Sequence, residues 1–194
     1  MNRCKWVNLN NKIYVDYHDK EWGKAIYDDK KLFELLILEM FQAGLSWECI
    51  LNKRESFKKA FDNFDYIKIS KYNDEKINEL LLNKEIIRNK LKIKAAINNA
   101  KIFIEIQKEY KTFSNYIWSF TDNKIIKNKD DNLKVSSYLS DKVSNDLKSR
   151  GMKFVGTVII YSYLQAIGVI DDHELSCSFY KIRISDFFLP KFTV

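Results

Sequence analysis

Residues that interrupt helices are scarce in this sequence. Its 194 residues include one proline and five glycines. A β-sandwich, or a chain of domains on long linkers, needs many turn residues, so the composition argues against both. The most apolar stretch, residues 154–170, is interrupted by Gly156, Thr157, Ser162 and Gln165 and falls short of a membrane span. The composition predicts a mostly helical protein, and no membrane partner is expected.

Histidine and cysteine are scarce as well. The chain has two histidines and three cysteines, and no apolar secretory segment follows Met1. Disulfide frameworks belong mainly to secreted proteins, whereas cysteines in a reducing compartment more often bind metals. We therefore expect a cytoplasmic protein whose cysteines are reduced.

Both histidines and two of the cysteines lie near the ends of the chain. Cys4 and His18 form one pair, and His173 and Cys177 form the other. On a helix, the i, i+4 spacing of the second pair would place both side chains on one face. Two thiolates and two imidazoles suit tetrahedral zinc, and four protein ligands would make that zinc structural. Residue types alone leave open a second interpretation, in which the cysteines are buried core residues and the histidines are incidental.

The positive charge is concentrated in one segment. The chain carries 33 Lys and Arg residues against 26 Asp and Glu residues, a net charge of +7, which permits binding to a polyanion. Residues 84–94 contain one acidic residue, Glu85, and five basic ones: Lys84, Arg88, Lys90, Lys92 and Lys94. A hairpin that directs backbone amides and cations at phosphate is one interpretation, and a solvated lysine face is the other.

Capping residues and apolar periodicity predict the helices. The expected helical segments are 30–43 (capped by Asp28 or Asp29 and ended by Gly44), 46–61 (capped by Ser46), a short helix opened by Asn73 or Asp74, 89–109, an aromatic turn or helix over 116–120 that starts from Ser114, 140–150, 154–167, and a last helix capped by Asp171 or Asp172 that carries His173 and Cys177. Residues 121–132 are predicted to be a loop, and no strand is expected. The prediction is one unit, residues 1–194, of two packed lobes: about 28–112 with the hairpin, and 1–27 plus 113–194 with the zinc.

One carboxylate breaks the apolar pattern of the helix predicted over residues 30–43. At 100° per residue, Glu39 falls in the middle of the apolar stripe, whereas Glu34 points away toward solvent. The stripe consists of Leu32, Leu35, Leu36 and Ala43. A buried carboxylate must be paired, protonated or directed into a cavity. Glu39 is therefore either a salt-bridge partner of a lysine or a carboxylate that lines a ligand pocket.

Aromatic side chains cluster near His18 and just after this helix. They are Trp6, Tyr14, Tyr17, Trp22 and Trp47. Such residues are usually part of a core, but Tyr14 and Tyr17, with polar tips and i, i+3 spacing, suit a slot for a flat heterocycle. A cationic ring would be favoured between aromatic faces and a carboxylate.

Several short motifs together resemble one enzyme family. In chain order they are Arg3-Cys4-x-Trp6, Tyr17-His18-Asp19-x-Glu21-Trp22-Gly23, Leu38-Glu39-x-x-Gln42-Ala43-Gly44-Leu45-Ser46-Trp47, Ile86-Ile87-Arg88-Asn89, Trp118-Ser119-Phe120, Lys153-Phe154-Val155-Gly156-Thr157 and Asp172-His173. Together they resemble the 3-methyladenine DNA glycosylase I family of helix-hairpin-helix repair enzymes. The resemblance covers about residues 3–180.

This resemblance implies an all-α, helix-hairpin-helix DNA glycosylase fold with a lesion pocket between two helical lobes. It assigns one structural zinc per chain, which joins the N- and C-terminal segments, to Cys4, His18, His173 and Cys177. It assigns base recognition and catalysis to Glu39, with Tyr14, Tyr17 and Trp47 in the base pocket and Trp6 and Trp22 beside them. DNA contacts fall to Gly44, Leu45, Arg88 and Lys90. The family often has glycine where this chain has Glu85.

The implied activity is hydrolysis of the N-glycosidic bond of 3-methyladenine in double-stranded DNA. Methylation at N3 makes the base cationic and a good leaving group, so extrusion, recognition and access of water suffice. The expected enzyme is a monofunctional monomer that releases free 3-methyladenine. Two alternatives remain from the residues: a zinc-stapled helical module that binds nucleic acid without catalysis, and a zinc hydrolase with Glu39 as general base, which would need an open metal position.

Overall fold

The computed structural model describes residues 1–128, 132 and 134–180. Its helices are α1 (Lys12–Lys20), α2 (Asp29–Gln42), α3 (Trp47–Asn52), α4 (Arg54–Ala60), α5 (Tyr66–Ile69), α6 (Asp74–Leu82), α7 (Lys90–Tyr110), α8 (Phe113–Ser119), α9 (Tyr138–Ser149) and α10 (Thr157–Ala166), with a 3-10 turn at Asp62–Phe64. Two short strands, β1 (Ile126–Lys127) and β2 (Ile170–Asp171), pair in parallel with Ile126 opposite Ile170. The mostly helical architecture is confirmed, and none of the helices described is long and apolar enough to cross a membrane.

Three helices begin at predicted capping residues, and a fourth is capped by Asn89, which was predicted as the first residue of its helix. The side chains of Asp28, Ser46, Asn73 and Asn89 accept hydrogen bonds from backbone amides in the first turns of α2, α3, α6 and α7. These bonds satisfy amides that have no partner inside the helix. Gly44 follows the end of α2 with a φ of +80°, the left-handed conformation that favours glycine after a helix.

Other helix boundaries differ from the predictions. The segment 46–61 is divided at Lys53 into α3 and α4. Helix α10 begins at Thr157 because Phe154 has a φ of 55°, which is incompatible with a helix that includes it. Helix α1 was not predicted, because it is short and only four of its nine residues are apolar, two of them tyrosines. Asn11, a typical capping residue, marks its start, because the Asn11 side chain accepts a hydrogen bond from the amide of Ile13 at 3.0 Å.

The predicted final helix with His173 and Cys177 on one face is wrong. Asp171 lies in β2, residues 172–174 have no regular secondary structure, and residues 175–177 form a turn, with helical residues only from Ser178. Pairing with β1 holds residues 170–171 extended, which is incompatible with a helix that starts there. The same pairing corrects the prediction that no strand is present and that residues 121–132 form only a loop. The chain after Tyr180 lies outside the described residues.

Helix α2 lies at the centre of the packing. It contacts α3, α7, α8 and α10. Phe33, Ile37, Leu38 and Phe41 are fully buried, as are Leu32, Leu35 and Leu36 of the predicted stripe, whereas Ala43 is half-buried. The prediction that Glu34 faces solvent is wrong, because Arg54 donates a hydrogen bond to its Oε1 at 2.7 Å and only 13% of its side chain is exposed. A helix covered on several sides can therefore hold polar side chains such as those of Glu34 and Glu39 away from solvent.

Candidate functional site

A cavity of about 750 Å³ opens between α1, α2, α3 and α10. The structure brings all six of the predicted base-pocket residues to its wall: Trp6, Tyr14, Tyr17, Trp22, Glu39 and Trp47. Helix α1 supplies the two tyrosines, α2 the carboxylate and α3 Trp47. Sequence positions more than 40 residues apart therefore contribute to one concave site, as is usual for small-molecule pockets.

Glu39 is the one carboxylate that α2 carries into this cavity. Its side chain is almost fully buried, with 3% of the residue exposed, and its Oε2 has no hydrogen-bond partner among the described residues. The predicted alternative, a salt bridge to lysine, does not form within that part of the chain. Loss of hydration raises the pKa of Glu39 to about 8. A buried acceptor without a partner is costly, which is typical of a group that waits for a ligand.

Two pairs of aromatic rings in the cavity wall pack in tilted arrangements, with interplanar angles of 51° for Trp6 and Tyr14 and 56° for Tyr17 and Trp47. The Trp6 and Tyr14 ring centroids are 5.3 Å apart, and those of Tyr17 and Trp47 are 5.4 Å apart. The indole Nε1 of Trp47 is buried and also has no partner among the described residues. Burial raises the pKa of Tyr17 well above its usual value, with a further contribution from Glu39. The phenol therefore remains neutral and can donate a hydrogen bond.

Several polar residues of the cavity wall were not predicted. Gln42 lies one turn after Glu39 on the same face of α2, a position that helical spacing could have identified. Asp172 also lines the cavity, and its Oδ2 accepts hydrogen bonds from Tyr161 at 3.0 Å and from Gln165 at 2.5 Å. The Asn128 amide donates to Oδ1 of the same carboxylate. No local sequence signal joins Asn128 to Asp172, because the pairing of β1 with β2 brings these two residues together.

A second cluster lies behind the aromatic wall. Candidate metal-binding atoms of Cys4, His18 and Cys177 all lie within 4.8 Å of one another. His173 adjoins them, since its ring centroid is 5.3 Å from that of His18. All four residues are buried, and Nε2 of His173 has no partner in the described part of the chain. The third cysteine, Cys49, is half-buried and is not part of this cluster.

Both histidines of the cluster are held by carboxylates. Nδ1 of His18 is 2.8 Å from Oδ1 of Asp19, and Nδ1 of His173 is 2.7 Å from Oδ1 of Asp171. Each carboxylate accepts a hydrogen bond from Nδ1–H, which leaves Nε2 of each ring for a ligand bond, an arrangement common at metal sites. At present Nε2 of His18 accepts a long hydrogen bond of 3.4 Å from the backbone amide of Cys4. Arg3 holds Asp19 in turn through a hydrogen bond of 2.7 Å. Burial lowers the pKa of His18, which favours the neutral ring that binds metals. The sequence reasoning missed both aspartates, although each lies within two residues of its histidine.

The basic segment after α6 is only partly exposed. Residues 83–89 connect α6 to α7, and Lys84, Arg88, Lys90 and Lys94 are exposed around this connection. Lys92 is not exposed, and its Nζ donates to the backbone oxygens of Phe41 and Ala43. The inclusion of Lys92 in an exposed basic face is therefore wrong. Below, residues 83–89 are called the hairpin segment.

A short turn links α2 to α3 between Gln42 and Trp47, which both line the cavity. This turn, residues 43–46, contains Gly44 in the left-handed conformation and Leu45, which is 41% exposed. A Cβ added at Gly44 would meet no atom within 4 Å, so the turn faces open space there. The amide of Leu45 donates to Gln42 O at 2.6 Å, which keeps the turn tight.

The chain is similar to proteins of one known family over most of its length. A family model described as methyladenine glycosylase matches residues 6–181. DNA-3-methyladenine glycosylase from Haemophilus influenzae is 42% identical over 178 residues, which cover 90% of this chain and 96% of the relative. DNA-3-methyladenine glycosylase 1 from Escherichia coli is 40% identical over 183 residues, 93% of this chain and 97% of the relative. A crystal structure of a 3-methyladenine DNA glycosylase I variant in complex with 3-methyladenine aligns with a TM-score of 0.87 at 33% identity, covering 92% of this chain and 97% of that chain.

Proposed function

Because the chain belongs to the methyladenine glycosylase family, we propose that it is a DNA-3-methyladenine glycosylase of base-excision repair. The enzyme extrudes the alkylated nucleotide from double-stranded DNA and hydrolyses its N-glycosidic bond, releasing free 3-methyladenine. The observation that carries this proposal is Glu39, a buried carboxylate without a partner among the described residues, in a cavity lined by aromatic rings.

Glu39 recognises the base and promotes its departure. The adenine edge donates hydrogen bonds to the carboxylate, and the positive charge of the N3-methylated ring stabilises its ionised form. The rings of Tyr14, Tyr17 and Trp47, with Trp6 and Trp22 beside them, hold the heterocycle through stacking and edge contacts. An uncharged base would gain less, because it cannot compensate for the cost of a buried negative charge.

Water, and not an enzyme amine, attacks C1′. A Schiff-base lysine needs a lowered pKa and an accessible amine. Lys20 is the lysine in the pocket-forming segments 14–22 and 38–47. Its Nζ pairs with Asp16 at 2.7 Å, and that hydrogen bond raises its pKa. Burial lowers the pKa of Lys92, but its amine bonds to two backbone oxygens, and the residue is not in the cavity wall. Lys5 and Lys134 also line the cavity, so the argument against a lyase is chemical: a cationic base departs readily, and water suffices as the nucleophile, which leaves the abasic strand uncut.

A single structural zinc binds through Cys4, His18, His173 and Cys177. Support comes from the cluster of Cys4, His18 and Cys177, and from the buried Nε2 of His173 that has no partner in the described chain. Two thiolates and two neutral imidazoles suit zinc, which would supply a cross-link and no catalytic step. It would join the N-terminal segment to the residues after β2, behind the wall that carries Trp6 and Trp22.

Duplex DNA contacts the hairpin segment and the turn at residues 43–46. Arg88 and Lys90 are exposed at the start of α7 and bind backbone phosphates, in the manner of a helix-hairpin-helix motif. Gly44 and Leu45 contact the gap that the extruded base leaves. The non-catalytic alternative has less support, since it assigns no role to the buried carboxylate of Glu39.

The test is release of 3-methyladenine from methylated duplex DNA. The wild-type protein should release the base, whereas Glu39→Gln should release far less under the same conditions while it still binds undamaged duplex. Glu105→Gln, an equal change on the exposed face of α7, serves as the matched control. Equal release by wild type and Glu39→Gln would contradict the assigned role, and absence of release by the wild type would refute the function.

A further inference from the structure

Lys92 is a buried cation in an otherwise basic and exposed segment. The residue is 5% exposed, and its Nζ lies 2.8 Å from Phe41 O and 2.6 Å from Ala43 O. Burial of an ammonium group is costly unless acceptors replace its water, and burial lowers the pKa of Lys92. The two carbonyl oxygens compensate for part of this cost.

The acceptors lie at the C-terminal end of α2. Carbonyl groups in the last turn of a helix have no partner within the helix, and they carry the negative end of its dipole. The amide of Leu45 donates to Gln42 O and that of Ala43 donates to Met40 O. Lys92, which lies on another helix, therefore supplies the hydrogen-bond donor that the backbone oxygens of Phe41 and Ala43 do not find elsewhere among the described residues.

The same residue belongs to the start of α7. Its backbone amide donates at 3.1 Å to the side chain of Asn89, the residue that ends the hairpin segment. One residue thus connects the two segments: its backbone amide bonds to the hairpin segment, and its side chain bonds to the end of α2 and the turn at residues 43–46. The pocket residues Glu39 and Trp47 do not depend on Lys92 for their positions. Glu39 is held by the packing of α2 on several sides, and Trp47 follows the residue Ser46 that caps α3.

We propose that Lys92 is a positioning residue for base excision. Its two bonds to the end of α2 fix the position of the turn with Gly44 and Leu45 relative to the hairpin segment. Both segments can then contact one duplex while the base occupies the pocket. This inference rests on the proposed function, which assigns DNA contacts to those two segments. Lys92 itself touches neither phosphate nor base.

The experiment compares Lys92→Met with Lys101→Met, an equal loss of charge at an exposed position on the same helix. Three quantities are measured for each: the single-turnover rate of excision from methylated duplex, the affinity for free 3-methyladenine, and the salt dependence of binding to undamaged duplex. For Lys92→Met we expect excision to fall by about tenfold or more, because the turn is no longer held. Affinity for the free base should change by less than about twofold, and the salt dependence should match that of the control, because Lys92 contacts no phosphate.

A double-mutant cycle with Leu45→Ala tests whether Lys92 acts through the turn. The two substitutions should be non-additive in the excision rate, since removal of either disturbs the same contact. Lys92→Gln removes the charge but keeps an amide NH2 group that can donate hydrogen bonds, and it provides the comparison if Lys92→Met does not fold.

Other outcomes overturn the proposal. Unchanged excision in both Lys92 variants, or additive effects with Leu45→Ala, would show that the turn does not depend on Lys92. A loss of free-base affinity in proportion to excision would show a general structural role. If the wild type released no 3-methyladenine, the proposed function itself would fail, and this inference with it.

Discussion

Substitution of Glu39 by glutamine should make the unliganded protein more stable, increasingly so as the pH rises. Burial raises the pKa of Glu39 from 4.5 to about 8 in the folded protein, whereas the unfolded chain keeps the ordinary value. Between these values the folded state binds more protons than the unfolded state. The free energy of unfolding contributed by this residue therefore falls as the pH rises through that interval.

The magnitude follows from the pKa difference. A difference from 4.5 to about 8 corresponds to roughly 5 kcal/mol above the upper pKa, at about 1.4 kcal/mol for each pKa unit. Relaxation and entry of water into the cavity reduce this value, so about 2–5 kcal/mol is the expected range. Below pH 4.5 Glu39 is protonated in both states, and glutamine should then change stability little.

The assay is urea unfolding at pH 5, 6, 7 and 8, without ligand, for the wild type, Glu39→Gln and the exposed control Glu105→Gln. The stability advantage of Glu39→Gln over the wild type should grow steadily with pH, and Glu105→Gln should show no such trend. The same variant should lose excision, so a gain in stability would accompany a loss of function, as expected for a residue selected to bind a ligand. Parallel pH profiles for the wild type and Glu39→Gln would refute the reasoning.

Three further predictions concern the metal, the DNA and the chemistry. Elemental analysis should find one zinc per chain, with Cys177→Ser losing the metal and Cys49→Ser retaining it, and chelation should lower the melting temperature; a metal-free wild type would contradict this. Arg88→Ala should flatten the log–log salt dependence of duplex affinity by about 0.9, whereas Lys111→Ala, on an exposed site, should leave it unaltered; an unaltered slope for Arg88→Ala would indicate only a solvated face. Borohydride should trap no covalent enzyme–DNA adduct, and an adduct abolished by Lys20→Ala would show a lyase.

The helical fold was predictable to a large extent because its signals are local. Asp28, Ser46 and Asn73 cap helices where the sequence predicted caps, since a side-chain oxygen and a nearby amide need no distant partner. The failure at His173 has the opposite cause. Pairing of Ile170 with Ile126 is a contact between distant segments, and it overrides the helical spacing that the residues themselves suggest.

The identity of the candidate site residues was determined by the sequence, through the aromatic cluster, the misplaced carboxylate of Glu39 and the paired cysteines and histidines. Their energetics were decided by the tertiary structure. Periodicity reports which side of a helix is apolar, but it does not report how many neighbours cover the other sides. Packing around α2 leaves Glu39 without a cation among the residues that the structure describes, and it directs Lys92 to the end of the same helix. In the cluster behind the cavity wall, Asp19 and Asp171 reach the two histidines. Each of these depends on which surfaces meet, because desolvation and hydrogen-bond partners exist only once the chain has folded.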